Sequence, residues 1–289
     1  MPSYEGCLLE PVCRVDNSPQ GWGLTDIKVV PAEAYLAGVN VVHENDDCLT
    51  HVARVHHPGF GARLFYLKHY PENPLISRGL ANEVCGYLLA SAAGLPVPSN
   101  PLIIALPRER LTEVHPQYAH RLRNDVLFAW ATEETGGSPL PADLEFAGAA
   151  LRKWQYVGDL VAFDTWAAIP DRTPRNLARR RNRQITVIDH GHLGGSVRWI
   201  PDLLPVDEDR RHPFLDLWPS GQVPDEVNQR IMVAAEQHPA CMQRIAPELN
   251  HWMGRLMANS GDTMALVDFL TKRADASQAR MRRILELLV

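Results

Sequence analysis

"DRTPRNLARRRNRQITVIDHG", residues 171–191, is the stretch on which the fold turns. The apolar and β-branched run Ile185–Ile188 ends abruptly in Asp189, His190 and Gly191. A buried strand that stops at an acid aims a carboxylate into a cleft, and the glycine frees the turn that follows. Upstream, "PDRTPRN" follows the apolar run "QYVGDLVAFDTWAAI" (155–169). Pro170 therefore ends a helix and opens a loop. In that loop Asp171 and Asn176 stand at the spacing Asp-x-x-x-x-Asn. Each feature has an ordinary alternative. Asp171 can be a turn residue at a helix end, Asn176 a turn cap, and Asp189 the first residue of a β-turn.

Toward the N-terminus, "GVNVVH" (38–43), "LTHVARVH" (49–56) and "ARLFYLKHY" (62–70) read as strands separated by turn-like segments. They predict a three-stranded meander. In "NPLISRGLANEVCGYLLASAAGLPVP", Ile76, Leu80, Val84 and Leu88 recur every four residues, which predicts an amphipathic helix over 74–93, stopped by Gly94. "NPLIIALP" (100–107) reads as a further strand. Beyond it, "PADLEFAGAALRKW" and residues 155–169 read as helices, and short strands follow around 176–179 and 184–188. Residues 200–224 read as irregular, and the tail from Pro224 as several helices. The architecture expected is α+β: an N-terminal lobe, 1–107, of antiparallel sheet plus one helix, and a mainly helical C-terminal lobe, 108–289.

Alternation along "ARLFYLKHY" puts Lys68 on one face with Leu64, Tyr66 and Tyr70. A lysine there can snorkel to water. Glu83 lies at the border of the apolar stripe of the next helix, where a solvated flank is the plain alternative. Together they gain meaning, because a strand lysine and a helix glutamate can form an ion pair that presents the ammonium to phosphate oxygens. The chain order Lys68, Glu83, Asp171, Asn176, Asp189, on strand, helix, loop, loop and strand end, is that of phosphoryl-transfer sites.

The stretches "FYLKHY", "LANEVCGYLLASAAGLPVP", "FDTWAAIPDRTPRN" and "VIDHGHLGG" resemble the HipA-like kinase family, in particular its shorter bacterial domains. The resemblance covers roughly residues 35–220. It implies a two-lobed protein-kinase-like fold that binds ATP and magnesium between the lobes, with catalytic loop 170–176 and metal-binding segment 185–191. Lys68 would contact the phosphates and Glu83 pair with it; Asp171 would be the catalytic base; Asn176 and Asp189 would hold magnesium. The acceptor would be a hydroxyl, first of all a protein Ser/Thr. Phosphatidylinositol kinases share a similar "DR…N" and Asp-x-Gly logic, so a small-molecule or lipid hydroxyl stays open. The family includes toxins of toxin–antitoxin pairs, which implies an antitoxin-like or regulatory protein partner, or a defence role.

One departure stands out. The turn expected to cover the phosphates, "HENDDCLTH", carries Glu44, Asp46 and Asp47, which repel phosphate. The glycine-bearing turn "HPGFGA" comes one hairpin later. A pseudokinase acting as a nucleotide- or protein-binding module is therefore the competing expectation. Thr50 and Ser196 are candidate autophosphorylation sites, and His190 is given no catalytic role.

Composition sets the outer bounds. The 289 residues are 45% apolar and 22% charged, with net charge −5, as in an ordinary globular protein without a nucleic-acid footprint. Five scattered cysteines without C-x-x-C predict neither a zinc site nor a disulfide framework. "MPSYEGCLLEPVCRV" lacks a leader pattern and no apolar run suits a membrane span, so a cytoplasmic protein is expected. The histidines of the first lobe, His43, His51, His56, His57 and His69, lack ligand spacing and read as structural. The basic run "ARRRNR" (178–183) reads as a solvated hairpin or a dock for an acidic partner.

Overall fold

The structure is a computed structural model that describes residues 27–44, 47–70, 78–122, 124–134, 136–180, 184–218 and 222–286. The expected meander forms from β2 (Tyr35–Glu44), β3 (Leu49–His57) and β4 (Gly61–His69), paired antiparallel. It is half of a six-stranded sheet. β1 (Lys28–Val30), β5 (Leu102–Pro107) and β6 (Val126–Glu133) complete it in the order β1-β5-β6-β4-β3-β2. β6 enters between β5 and β4, antiparallel to both, while β1 runs parallel to β5. The sequence reading gave no strand at β6, although "VLFAWATE" alternates: Leu127, Ala129 and Ala131 face one core, Trp130 the other.

The two faces of the sheet bury different things. Phe65 and Leu67 of β4 join Leu102, Ile104, Leu127 and Ala129 in one apolar cluster. Lys68, next after Leu67 and of the opposite parity, points to the other face, where α1 (Gly79–Ala92) packs. The amphipathic helix expected over 74–93 is corrected here. Residues 74–77 lie outside the described residues, and α1 is buried almost all round, Glu83 included at 1% exposure. The cause is that α1 is covered by the sheet on one side and by α5 (Asp225–Leu256) on the other. A helix covered on both sides shows no polar stripe.

Further helices are α2 (Arg108–Val114), α3 (Leu144–Arg152), α4 (Val157–Ala167), α6 (Ser260–Asp275) and α7 (Ser277–Ile284). α4 ends where Ala168 turns left-handed, at φ 50°, before Pro170. A second sheet, β7 (Ser138–Pro139), β8 (Leu177–Arg179) and β9 (Ile185–Val187), is antiparallel throughout. The β8–β9 register pairs Leu177 with Val187, and the Ile188 N–H donates to the Asn176 carbonyl at 3.0 Å. This hairpin therefore sets Asn176 across from the end of β9, beside Asp189. Part of the basic run, 181–183, lies outside the described residues. Among the described residues, no helix is long and apolar enough to cross a membrane.

Candidate active site

Lys68 leaves β4 toward α1 with only 15% of its side chain exposed, so it does not snorkel. Its Nζ donates to Glu83 Oε1 at 2.7 Å and also to Asp189 Oδ1. Burial alone would push the ammonium toward neutrality, but the Asp189 and Glu83 carboxylates hold its pKa well above the usual lysine value. Burial likewise penalises the Asp189 carboxylate, and Lys68 more than offsets this, holding it below the usual range. Three of the residues that the sequence set in order thus meet at one point.

Glu83 does more than pair with lysine. Its Oε1 also accepts from the Tyr70 hydroxyl at 2.9 Å, and its Oε2 from the His190 N–H at 3.0 Å. One carboxylate on α1 therefore clamps both the lysine strand and the segment after Asp189. Next to it, Asn82 donates to the carbonyls of Gly191 at 2.6 Å and Ser196 at 3.2 Å, and accepts from Trp199 Nε1 at 2.9 Å. The role expected of Gly191 shifts accordingly. The left-handed residue is Asp189, at φ 67°; Gly191 is needed because a Cβ there would collide with the Tyr70 hydroxyl. Left-handed backbone costs an aspartate on the order of 1 kcal/mol.

Arg172 offsets that cost. Its side chain is fully buried and holds Asp164 of α4 in a two-point pair, Nε to Oδ2 and Nη2 to Oδ1, both at 2.8 Å. Its Nη1 reaches the carbonyls of Ile188 at 2.7 Å and Asp189 at 3.2 Å. His212 Nε2 sits 2.9 Å from the same Asp164. Burial opposes the charge on Asp164, but Arg172 keeps its pKa below the usual carboxylate value. The loop, the helix before it and the strand end after it are thereby fixed to one another.

Asn176 Nδ2 donates to Asp189 Oδ2 at 2.8 Å. Its Oδ1 accepts from the Thr173 N–H at 2.8 Å and hydroxyl at 2.9 Å, closing a capping box over the turn Pro174–Asn176. The backbone donor fixes which way the amide points. Asn176 thus braces Asp189 and its own loop, and would offer oxygen to a metal only after releasing Thr173. Asp171 is the exposed member of the set, with 39% of its side chain open, and its Oδ2 lies 2.8 Å from His192 Nδ1.

The acidic turn is partly resolved into structure. Asp46 and the side chain of Glu44 lie outside the described residues. Asp47 Oδ1 accepts from Arg198 Nη2 at 3.1 Å, and its Oδ2 lies 3.8 Å from His192 Nε2. Thr50 stands within β3 opposite Lys68, outside the turn. His190 is buried against Phe163, with rings 5.8 Å apart, and burial together with Arg172 lowers its pKa to about 3. His51 and His69 lie on the other face of the sheet with His115; His56 and His57 point to opposite sides, one exposed and one buried.

Among the described residues, no group of three or more His, Cys, Asp or Glu is placed to hold a metal. Asp189 with Asn176 supplies one carboxylate and one amide. That donor set suits an ion taking most of its ligands from phosphates and water, as magnesium does, and does not suit a cation held by protein alone.

No family model and no curated protein matches the chain. Among solved structures, the Golgi casein kinase overlaps 88% of this chain and 74% of its own, at 9% identity and a TM-score of 0.47. A pseudokinase solved without ligand overlaps 92% of this chain and 100% of its own, at 12% identity and a TM-score of 0.36. Both overlaps are too loose to establish a shared fold.

Proposed function

We propose that the chain is an ATP- and magnesium-dependent phosphotransferase of the HipA-like type, with a two-lobed protein-kinase-like fold divided near residue 107. One observation carries this: Lys68 on a strand bridges Glu83 on the following helix and Asp189 at a distant strand end. An ammonium held between two carboxylates stays charged despite its burial while it waits for phosphate oxygens. Lys68 would move from Asp189 to the phosphates, and Glu83 would keep it aimed. Asp189, freed, and Asn176 would hold magnesium, whose contribution is to neutralise charge on the transferred group. Asp171, open to solvent in the loop, would serve the acceptor hydroxyl, most directly that of a protein Ser or Thr. Arg172 would keep loop and strand end in register throughout. Catalysis of this kind is mostly positioning and electrostatics.

The test is a melting curve with MgATP, followed by transfer of labelled phosphate to protein in a host lysate. A ligand that binds only the folded state stabilises by about 2.7 kcal/mol at a hundredfold excess over its Kd. A magnesium-dependent rise of several degrees, with labelled product, is expected. A second reading is favoured by the engaged oxygens of Asp189 and Asn176: a pseudokinase that binds nucleotide and stops there. A thermal shift with neither transfer nor hydrolysis would select it. No shift at millimolar MgATP would defeat both.

A further inference from the structure

His192 lies three residues past Asp189 and has no part in the set of residues expected from the sequence. Its ring Nδ1 is 2.8 Å from Asp171 Oδ2. Its Nε2 faces Asp47 at 3.8 Å, too far for a hydrogen bond. The side chain is 30% exposed, so the outer nitrogen is reachable while the inner one is committed. The ring is held where it is by the turn that follows. The Leu193 N–H bonds the His190 carbonyl and the Gly195 N–H that of His192, both at 3.0 Å. Gly194 and Gly195 take φ 74° and 96°, and a Cβ at Gly194 would press on Leu204 and Trp199. "HGHLGG" thus fixes an imidazole against the loop carboxylate.

We propose that Asp171 and His192 act as one dyad, in which the carboxylate orients the ring and His192 Nε2 takes the proton of the acceptor hydroxyl. This rests on the phosphotransferase reading and changes which atom is the base. A carboxylate bound to Nδ1–H fixes the tautomer that leaves Nε2 able to accept. The hydrogen bond to Asp171 raises the His192 pKa above its ordinary value, although burial opposes it. An imidazole whose pKa is raised above its ordinary value is a stronger base than an exposed carboxylate. The charged groups around the ring are Asp171, Asp47, Asp189 and Lys68, and Arg198 offsets Asp47.

The step balances. The hydroxyl proton moves to Nε2 and the oxygen forms its bond to the γ-phosphorus. The bond from that phosphorus to the β,γ-bridging oxygen breaks, and its electron pair leaves with the nucleoside diphosphate. The imidazolium then releases its proton to water.

The experiment measures MgATP hydrolysis by the full chain, with water as acceptor, across pH. The wild-type rate should rise with pH along one ionisation above about 6.5. His192→Gln should lower kcat by about a hundredfold or more, leave KM for MgATP within about twofold, and erase that ionisation. Asp171→Asn should lower kcat and move the ionisation down toward about 6.5, and the His192 ring, followed by NMR, should titrate lower in the same variant. If His192→Gln keeps both rate and profile while Asp171→Asn abolishes turnover, Asp171 is the base alone and the dyad is wrong. If His192→Gln is faster, the ring blocks the loop and the dyad is equally wrong. MgATP binding with neither hydrolysis nor labelled transfer to lysate protein by the wild type overturns the phosphotransferase reading itself, and the dyad with it.

Discussion

Lys68 and His69 are neighbours on one strand, and they point to opposite faces of the same sheet. Both carry a polar group into a place with little water. Lys68 stays charged because Glu83 and Asp189 meet it. His69 is fully buried, stacked on His51 with ring centroids 5.4 Å apart, and neither of its nitrogens has a hydrogen-bond partner among the described residues. His115 closes the group edge-on to His51, and the Tyr35 hydroxyl lies 3.2 Å from His51 Nε2. Burial drives His51 down to about 3 and His69 well below the usual histidine value, so both rings are neutral. The difference teaches how a buried polar group survives. One face keeps its charge by pairing; the other gives its charge up.

The largest expected effect comes from breaking a pair on the charged side. Arg172→Met leaves Asp164 buried without its partner, which costs about 3–5 kcal/mol. Urea unfolding measures this, and a loss below about 1 kcal/mol would show that Asp164 finds relief elsewhere. Next is Lys68→Met, which should cut phosphoryl transfer by about 10²–10³, the range for removing one aimed donor. Labelled-phosphate transfer at saturating MgATP checks it.

Acid acts on the neutral histidines before it acts on the paired carboxylates, and His190 on the Lys68 side, also lowered to about 3, belongs to the first group. The folded-state pKa values of His51 and His69 lie below their unfolded value of about 6.5, so their stabilisation is complete above that pH and is lost as pH falls beneath it. Each ring then costs about 1.4 kcal/mol per pH unit. Asp189 and Asp164 are also depressed, from about 3.9, and lose their contribution only below roughly pH 4. Thermal melts between pH 7 and 3 should therefore fall in two stages, the histidine stage first. The smallest effect is His69→Leu, expected to change stability by less than about 1 kcal/mol at pH 7.5. The same variant should flatten the first stage; a first stage that stays steep would place its origin away from this cluster.

Legibility in the sequence followed the range of each signal. The meander, the helical tail and the short β8–β9 hairpin were readable from local periodicity. So is β6, through the alternation of "VLFAWATE". The order Lys68, Glu83, Asp171, Asn176, Asp189 was readable because the motif spacing is itself local at the loop. Tyr70, Asn82, Arg172 and His192 were not singled out. Asn82 is a buried helix polar whose partners lie more than a hundred residues on, Gly191 among them. Arg172 finds Asp164 only because Ala168 turns the chain back on α4. His115 stands far in sequence from the histidines it joins. Such partners are chosen by tertiary packing, and no nearby residue announces them.

Asn82 and Glu83 sit side by side on α1, and between them they hold His190, Gly191, Ser196 and Trp199. Gly86, one turn on, lies so close to His190 that any Cβ would collide with its ring. Helix and strand end are therefore geared together. A swing of α1 would either break its hydrogen bonds to His190, Gly191 and Ser196 or carry those residues with it. In the second case it would drag Asp189 along, and the cost of moving either part is the cost of moving both. The turn carrying Asp47 is held separately, by Arg198 Nη2 at 3.1 Å and beside His192 Nε2 at 3.8 Å, so it can shift without moving α1 or Asp189.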